Sequence, residues 1–86
     1  MRLALTHRFQ HAYRGLTSEE QALADKALRL LAENLRHPSL HVKKIKGTEG
    51  IWEARVSRSI RLTFEVHGDL LVLRTIGKHD EALGRP

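Results

Sequence analysis

The hydrophobic pattern of this 86-residue chain changes period once, between residues 38 and 50, and that change limits the possible folds more than any other feature. Before it, Leu23, Ala24, Ala27, Leu28, Leu30, Leu31 and Leu35 recur at three- and four-residue spacing, which places them on one face of a helix. After it, "IWEARV" (51–56), "IRLTFEV" (60–66) and "LLVLRTI" (70–76) have the length and composition of strands, separated by "SRS" and "HGD". Thr17 with Glu20 fits a capping box, Glu19 and Glu20 suit the positive end of a helix dipole, and Pro38 is the expected stop. Residues 7–16 predict a shorter helix, antiparallel to the long one and broken at Gly15. "RLALT" predicts a short first strand, and Gly47 and Gly50 mark a turn. Strand, helices and then an antiparallel meander make an α+β domain, with an N-terminal strand and a helical hairpin packed on the meander sheet. The leucine stripe should lie on the face made by Trp52, Ala54, Leu62 and Phe64, because no other apolar surface in the chain is large enough to bury it.

At 41% apolar residues the chain can fill one modest core, so residues 1–86 read as a single domain. The absence of cysteine rules out a disulfide framework and a thiolate zinc site. "MRLALTHRF" lacks the apolar length of a signal peptide, and no stretch approaches the roughly 20 apolar residues that span a bilayer. The expectation is a soluble, cytoplasmic protein with no membrane partner.

The net charge of +5 is concentrated in the middle of the chain. Residues 36–61 carry Arg36, Lys43, Lys44, Lys46, Arg55, Arg58 and Arg61 against Glu49 and Glu53, while both flanking segments are nearly neutral. Clustered cations suit a polyanion, because neutralising adjacent phosphates releases their counterions. Charge alone leaves an acidic protein partner, or a solvated face, equally open.

The strand register sharpens this reading. A three-residue loop at 57–59 pairs Val56 with Ile60, Ala54 with Leu62 and Trp52 with Phe64, which keeps both apolar faces on one side. It also sets Arg55 opposite Arg61 on the polar face. Like charges directly opposite destabilise a strand pair, so the pair calls for an anion. Glu53, diagonal to Arg61, could supply it as a surface ion pair, or the two guanidinium forks could take a phosphate. On this reading, replacing Arg61 with leucine should relieve repulsion and cost no stability.

If the third strand folds back around His67, Gly68 and Asp69, Arg61 lies beside residue 75 or 76, and "GKHDE" leaves the sheet at the arginine end. That brings His79 to the pair, where an imidazole can act as general acid or base. His7 and His11 have the i, i+4 spacing of a metal pair but no third ligand, and read as surface residues. His37, His41 and His67 read as loop residues. Lys43, Lys44 and Lys46 precede the Gly47–Gly50 turn, about 13 Å from Arg55 along the strand. With Arg58 they are expected to contact a polyanion or an acidic protein segment rather than the site itself.

"HPSLHVKKIKG", "IWEARVSRSIRLTFEV" and "LLVLRTIGKHDEAL" together resemble the RelE/ParE toxin superfamily, especially the branch containing RelE, YoeB and HigB. The likeness is carried by residues 37–83, by an arginine opening the second meander strand, and by the Gly-x-His-Asp ending. It implies a RelE-like fold and the toxin of a type II toxin–antitoxin system, with an antitoxin, the ribosome and mRNA as partners. The implied activity is metal-independent endoribonuclease cleavage, by attack of the RNA 2′-oxygen on its own 3′-phosphate, with no cofactor. Carried over residue by residue, the catalytic set is Arg61 for the family's strand arginine, Arg55 for a basic strand position, His79 after the last strand, and Glu53 where RelE has lysine and other branches use a carboxylate. The chain departs from RelE and YoeB in lacking a C-terminal tyrosine, since its only tyrosine is Tyr13. That departure keeps a second implication open, a ParE-like or degenerate member that binds gyrase or only its antitoxin.

Overall fold

A computed structural model describes residues 1–86. Strand β1 (Arg2–Leu5) leads into helix α1 (His7–Arg14), and helix α2 (Ser18–Glu33) follows. A single 3-10 turn at Pro38–Leu40 leads to β2 (Lys43–Lys44), β3 (Ile51–Arg55), β4 (Ile60–His67), β5 (Leu70–Lys78) and a short helix α3 (His79–Gly84). The five strands are ordered β1-β5-β4-β3-β2, with β1 parallel to β5 and every other pair antiparallel. The meander foreseen from sequence is therefore extended at both edges. None of the helices is long and apolar enough to cross a membrane.

The helix starts follow their caps. Thr6 accepts from the Phe9 amide at 3.1 Å and donates to the Leu73 carbonyl at 2.7 Å, so one side chain opens α1 and ties it to β5. At α2 the Thr17/Glu20 box is complete in both directions, at 3.1 and 2.8 Å. Its end differs from the expectation: α2 stops at Glu33, not at Pro38. Asn34 is extended, and its side chain accepts from the Arg36 amide at 3.0 Å, offering the backbone an alternative to another helical turn. The stripe is also narrower than its leucines suggest. Ala24, Ala27 and Leu31 are buried, whereas Leu23 is 42% exposed because one residue is about 100° of rotation and sets it at the margin.

The core joins Phe9, Ala24, Ala27, Leu31 and Leu40 from the helical half to Ala54, Leu62, Phe64, Leu71, Leu73 and Ile76 from the sheet. Phe64 is fully buried and Trp52 half-buried against this cluster, on the face expected to receive the helix.

The β3–β4 register is the expected one, with Trp52 opposite Phe64, Ala54 opposite Leu62 and Arg55 opposite Arg61. The β4–β5 register is not. A bulge leaves Arg74 unmatched between the pairs Thr63–Thr75 and Phe64–Leu73, so Arg61 faces Gly77 rather than residue 75 or 76. The extra residue puts Arg74 and Thr75 on the same outer face. That face is covered, because α3 turns back over β4 and β5, and Thr63 and Thr75 are buried. The Pro86 backbone oxygen accepts from the Thr63 hydroxyl at 3.0 Å and from Arg74 Nε at 3.1 Å.

Farther along β4, hydrogen bonds from His67 and then Arg74 hold the Glu65 carboxyl below the usual carboxylate range. A depressed folded-state value stabilises the fold above the unfolded value, near 4.3, and the benefit is lost as pH falls through the folded value. Replacing Glu65 with glutamine should therefore cost about 0.2–1 kcal/mol at pH 7, as for other partly exposed pairs. The difference from the parent should vanish near pH 2 in paired urea titrations.

Candidate active site

On the outer face, where β2, β3 and β4 meet the start of α3, six side chains line a cleft of about 290 Å³ with no apolar residue among them. They are His41, Lys43, Glu53, Arg55, Arg61 and His79. The four residues expected to form the catalytic set are thus brought together from three separate elements.

Arg61 is only 8% exposed. Its Nη1 donates to the backbone oxygens of Ser57 at 2.8 Å, Ile60 at 3.1 Å and Arg58 at 3.3 Å, closing the β3–β4 loop around the guanidinium. Its Nε and Nη2 make no hydrogen bond within the chain and remain as donors for a ligand. The ion pair with Glu53 that the sequence left as an alternative does not form, and the chain's ion pairs lie elsewhere. Glu53 is 6% exposed, yet no fully buried side-chain polar atom lacks a partner, so its carboxylate meets solvent through the cleft. The opposed arginines are therefore not neutralised within the protein.

His79 begins α3 and is pinned by its backbone amide, which donates to the Ser59 carbonyl at 2.9 Å. The arginine loop and the histidine are thereby one unit. Its ring Nδ1 lies 3.1 Å from the exposed Asp80 carboxylate. Donation from Nδ1–H leaves Nε2 as the nitrogen that takes or gives a proton in the cleft.

Lys43 is the main correction to the sequence-based placement. Residues 43 and 44 form a strand that returns along β3, so Lys43 stands opposite Glu53 and Lys44 opposite Trp52. The turn between them uses Gly47 and Gly50 at φ of 78° and 73°, and Ile45 donates to Ile51 across it at 2.9 Å. Lys43 therefore belongs to the cleft, while Lys44, Lys46 and Arg58 lie outside it on exposed backbone. His41 is a loop residue, as its sequence context suggests, but it also lines the cleft, which no feature of the sequence indicates. It is the one non-glycine residue with positive φ, at 45°, and it closes the 3-10 turn at the mouth of the cleft.

The remaining titratable candidates stay apart. Tyr13 donates to Asp25 at 2.7 Å in a groove between α1 and α2, and that bond raises its pKa. His7 and His11 are exposed on α1, His37 bonds Ser39, and His67, the last residue of β4 and not a loop residue, pairs with Glu65. No three His, Asp or Glu side chains converge as metal ligands would. Arg55, Arg61 and Lys43 set three cations against one carboxylate in the cleft, which suits the charge of a phosphodiester.

No family model matches the chain, and no curated protein matches it by sequence. Solved structures do. YafQ from E. coli strain BL21(DE3) superposes with a TM-score of 0.79 at 16% identity, over 94% of this chain and 97% of that one. The YoeB/ParE toxin from Agrobacterium tumefaciens gives 0.76 at 18% identity, over 92% and 99%. The toxin of the intact E. coli RelBE toxin–antitoxin complex gives 0.71 at 21% identity, over 90% and 94%. The chain therefore has the fold of the RelE, YoeB and YafQ toxins.

Proposed function

We propose that the protein is the toxin of a type II toxin–antitoxin pair and a metal-independent endoribonuclease that cuts mRNA on the ribosome, in the cytoplasm. The observation that carries this reading is the cleft itself, in which two opposed and unneutralised arginines share one polar space with a carboxylate and an imidazole. Cleavage by the RNA 2′-oxygen needs a base for that hydroxyl, an acid for the leaving 5′-oxygen and cations for the charge that builds on phosphorus. Glu53 serves as the base, His79 as the acid, and Arg61, Arg55 and Lys43 hold the phosphate. Lys44, Lys46 and Arg58 contact ribosomal RNA outside the cleft. The antitoxin partner is supported by the likeness to a toxin solved with its antitoxin.

Primer extension on ribosome-bound message, with purified protein, tests this. The parent should produce new 5′ ends. His79→Ala should cut at least about 100-fold more slowly, as expected for loss of a positioned acid. Lys43→Gln should lower the rate at saturating ribosomes, whereas the Lys44→Gln, Lys46→Gln pair should weaken ribosome binding and flatten its salt dependence. Tyr13 lies on α1, away from the cleft, and the alternative is a toxin that binds a protein such as gyrase, or only its antitoxin, and cuts nothing. Intact message beside a folded, toxic protein would establish that reading instead.

A further inference from the structure

A second groove lies against the cleft, around the β2 edge. It has a volume of about 490 Å³, within the roughly 300–1,000 Å³ typical of ligand sites. Trp52, Val42 and Pro38 form its apolar wall, with Arg36 and His41 at its polar rim. Successive residues of a strand point to opposite faces. Lys43 and Glu53 therefore face the cleft, while Trp52, paired with Lys44, lies on the opposite face and lines the groove. His41 lines both spaces and joins them.

Two features of this junction are unexplained by packing. Trp52 shares its sheet face with Ala54 and Phe64, which are fully buried, yet it packs only partly against the core and also forms one wall of the groove. His41 occupies a left-handed conformation, at φ of 45°, that glycine adopts with less strain than a residue with a side chain. An aromatic ring on the wall of a groove whose rim carries Arg36 matches the way proteins hold single-stranded RNA, with bases stacked on aromatic faces beside cations.

We infer that this groove is a nucleobase subsite, in which Trp52 stacks a base of the nucleotide adjoining the phosphate held in the cleft. The inference rests on the proposed RNA cleavage and adds where the substrate is gripped. Stacking engages every base through its π face, so Trp52 fixes position, and the Arg36 and His41 rim supplies any preference among bases.

Trp52 is the only tryptophan, so the fluorescence of the unaltered protein reports on this site. The probes are a 2′-O-methyl trinucleotide, which lacks the attacking hydroxyl, and an abasic ribose-phosphate chain of the same length, both fluorescein-labelled for polarisation in parallel. The trinucleotide should quench Trp52, and the abasic chain should bind without quenching. Trp52→Leu, which keeps apolar volume in the groove, should weaken trinucleotide binding about tenfold or more and leave the abasic chain unaffected. Trinucleotide binding without quenching would overturn the subsite. Binding of neither probe at millimolar concentration would overturn it as well. Cleavage of ribosome-bound message by the same preparation would then assign the failure to the subsite and not to the RNA reading.

Discussion

Truncating Phe64 to alanine should remove about 3 to 5 kcal/mol of folding free energy. The ring is fully buried in the middle of β4, opposite Trp52 on one side and Leu73 on the other, beside the bulge that resets the β5 register. The same cluster receives Ala24, Ala27 and Leu31 of α2, so the cavity would open where helix and sheet meet. Domains of this size have only about 5–15 kcal/mol in total. The variant should unfold at a much lower urea concentration, followed through Trp52 emission, and circular dichroism should show helix and strand lost together. A cost below about 1 kcal/mol would mean that the site collapses around the missing ring, and that the helices do not depend on this face.

Replacing Arg61 with leucine should slow cleavage at least about 100-fold, the scale set by losing one preorganised donor to transition-state charge. The structure reverses the companion expectation about stability. The register alone shows two repelling arginines, but Arg61 also holds three loop carbonyls through Nη1. Hydrogen bonds from a charged group contribute about 1.5–3 kcal/mol. Relief of repulsion, at most about 1 kcal/mol, does not offset their loss, so the variant should be less stable by about 1–2 kcal/mol. Arg61→Lys should recover part of that stability and less of the activity, because an ammonium supplies charge without the planar fork. Denaturation and single-turnover cleavage on the same preparations separate the two roles. Undiminished cleavage with a lowered melting temperature would confine Arg61 to the loop.

The site was legible in the sequence wherever alternation spans enough residues to fix a register. Arg55 and Arg61 could be placed opposite each other because two apolar strands and a three-residue loop leave one arrangement that keeps both faces consistent. Lys43 could not, because a two-residue strand has no period and its course depends on pairing with β3. The shift at Arg74 was hidden for a related reason, since a bulge keeps apolar residues on the core side while moving the neighbours. The tail "EALGRP" is short, yet Ala82 is buried and α3 roofs the outer face, a helix of six residues being too brief to show an apolar stripe. His41 owes its place to a left-handed turn stabilised by what surrounds it, which no propensity of the segment announces.

The pairing of β1 with β5 joins Arg2 to Leu70 and Leu5 to Leu73. Such a closure sets an order of events during synthesis. The β3–β4 hairpin can form as soon as it emerges, because its contacts are local, but the strand made first has no partner until nearly the whole chain has been translated. Helix α1, capped by a threonine bonded to β5, waits with it. A protein whose proposed target is the ribosome is thus left unfinished for most of the time it spends on the ribosome that makes it.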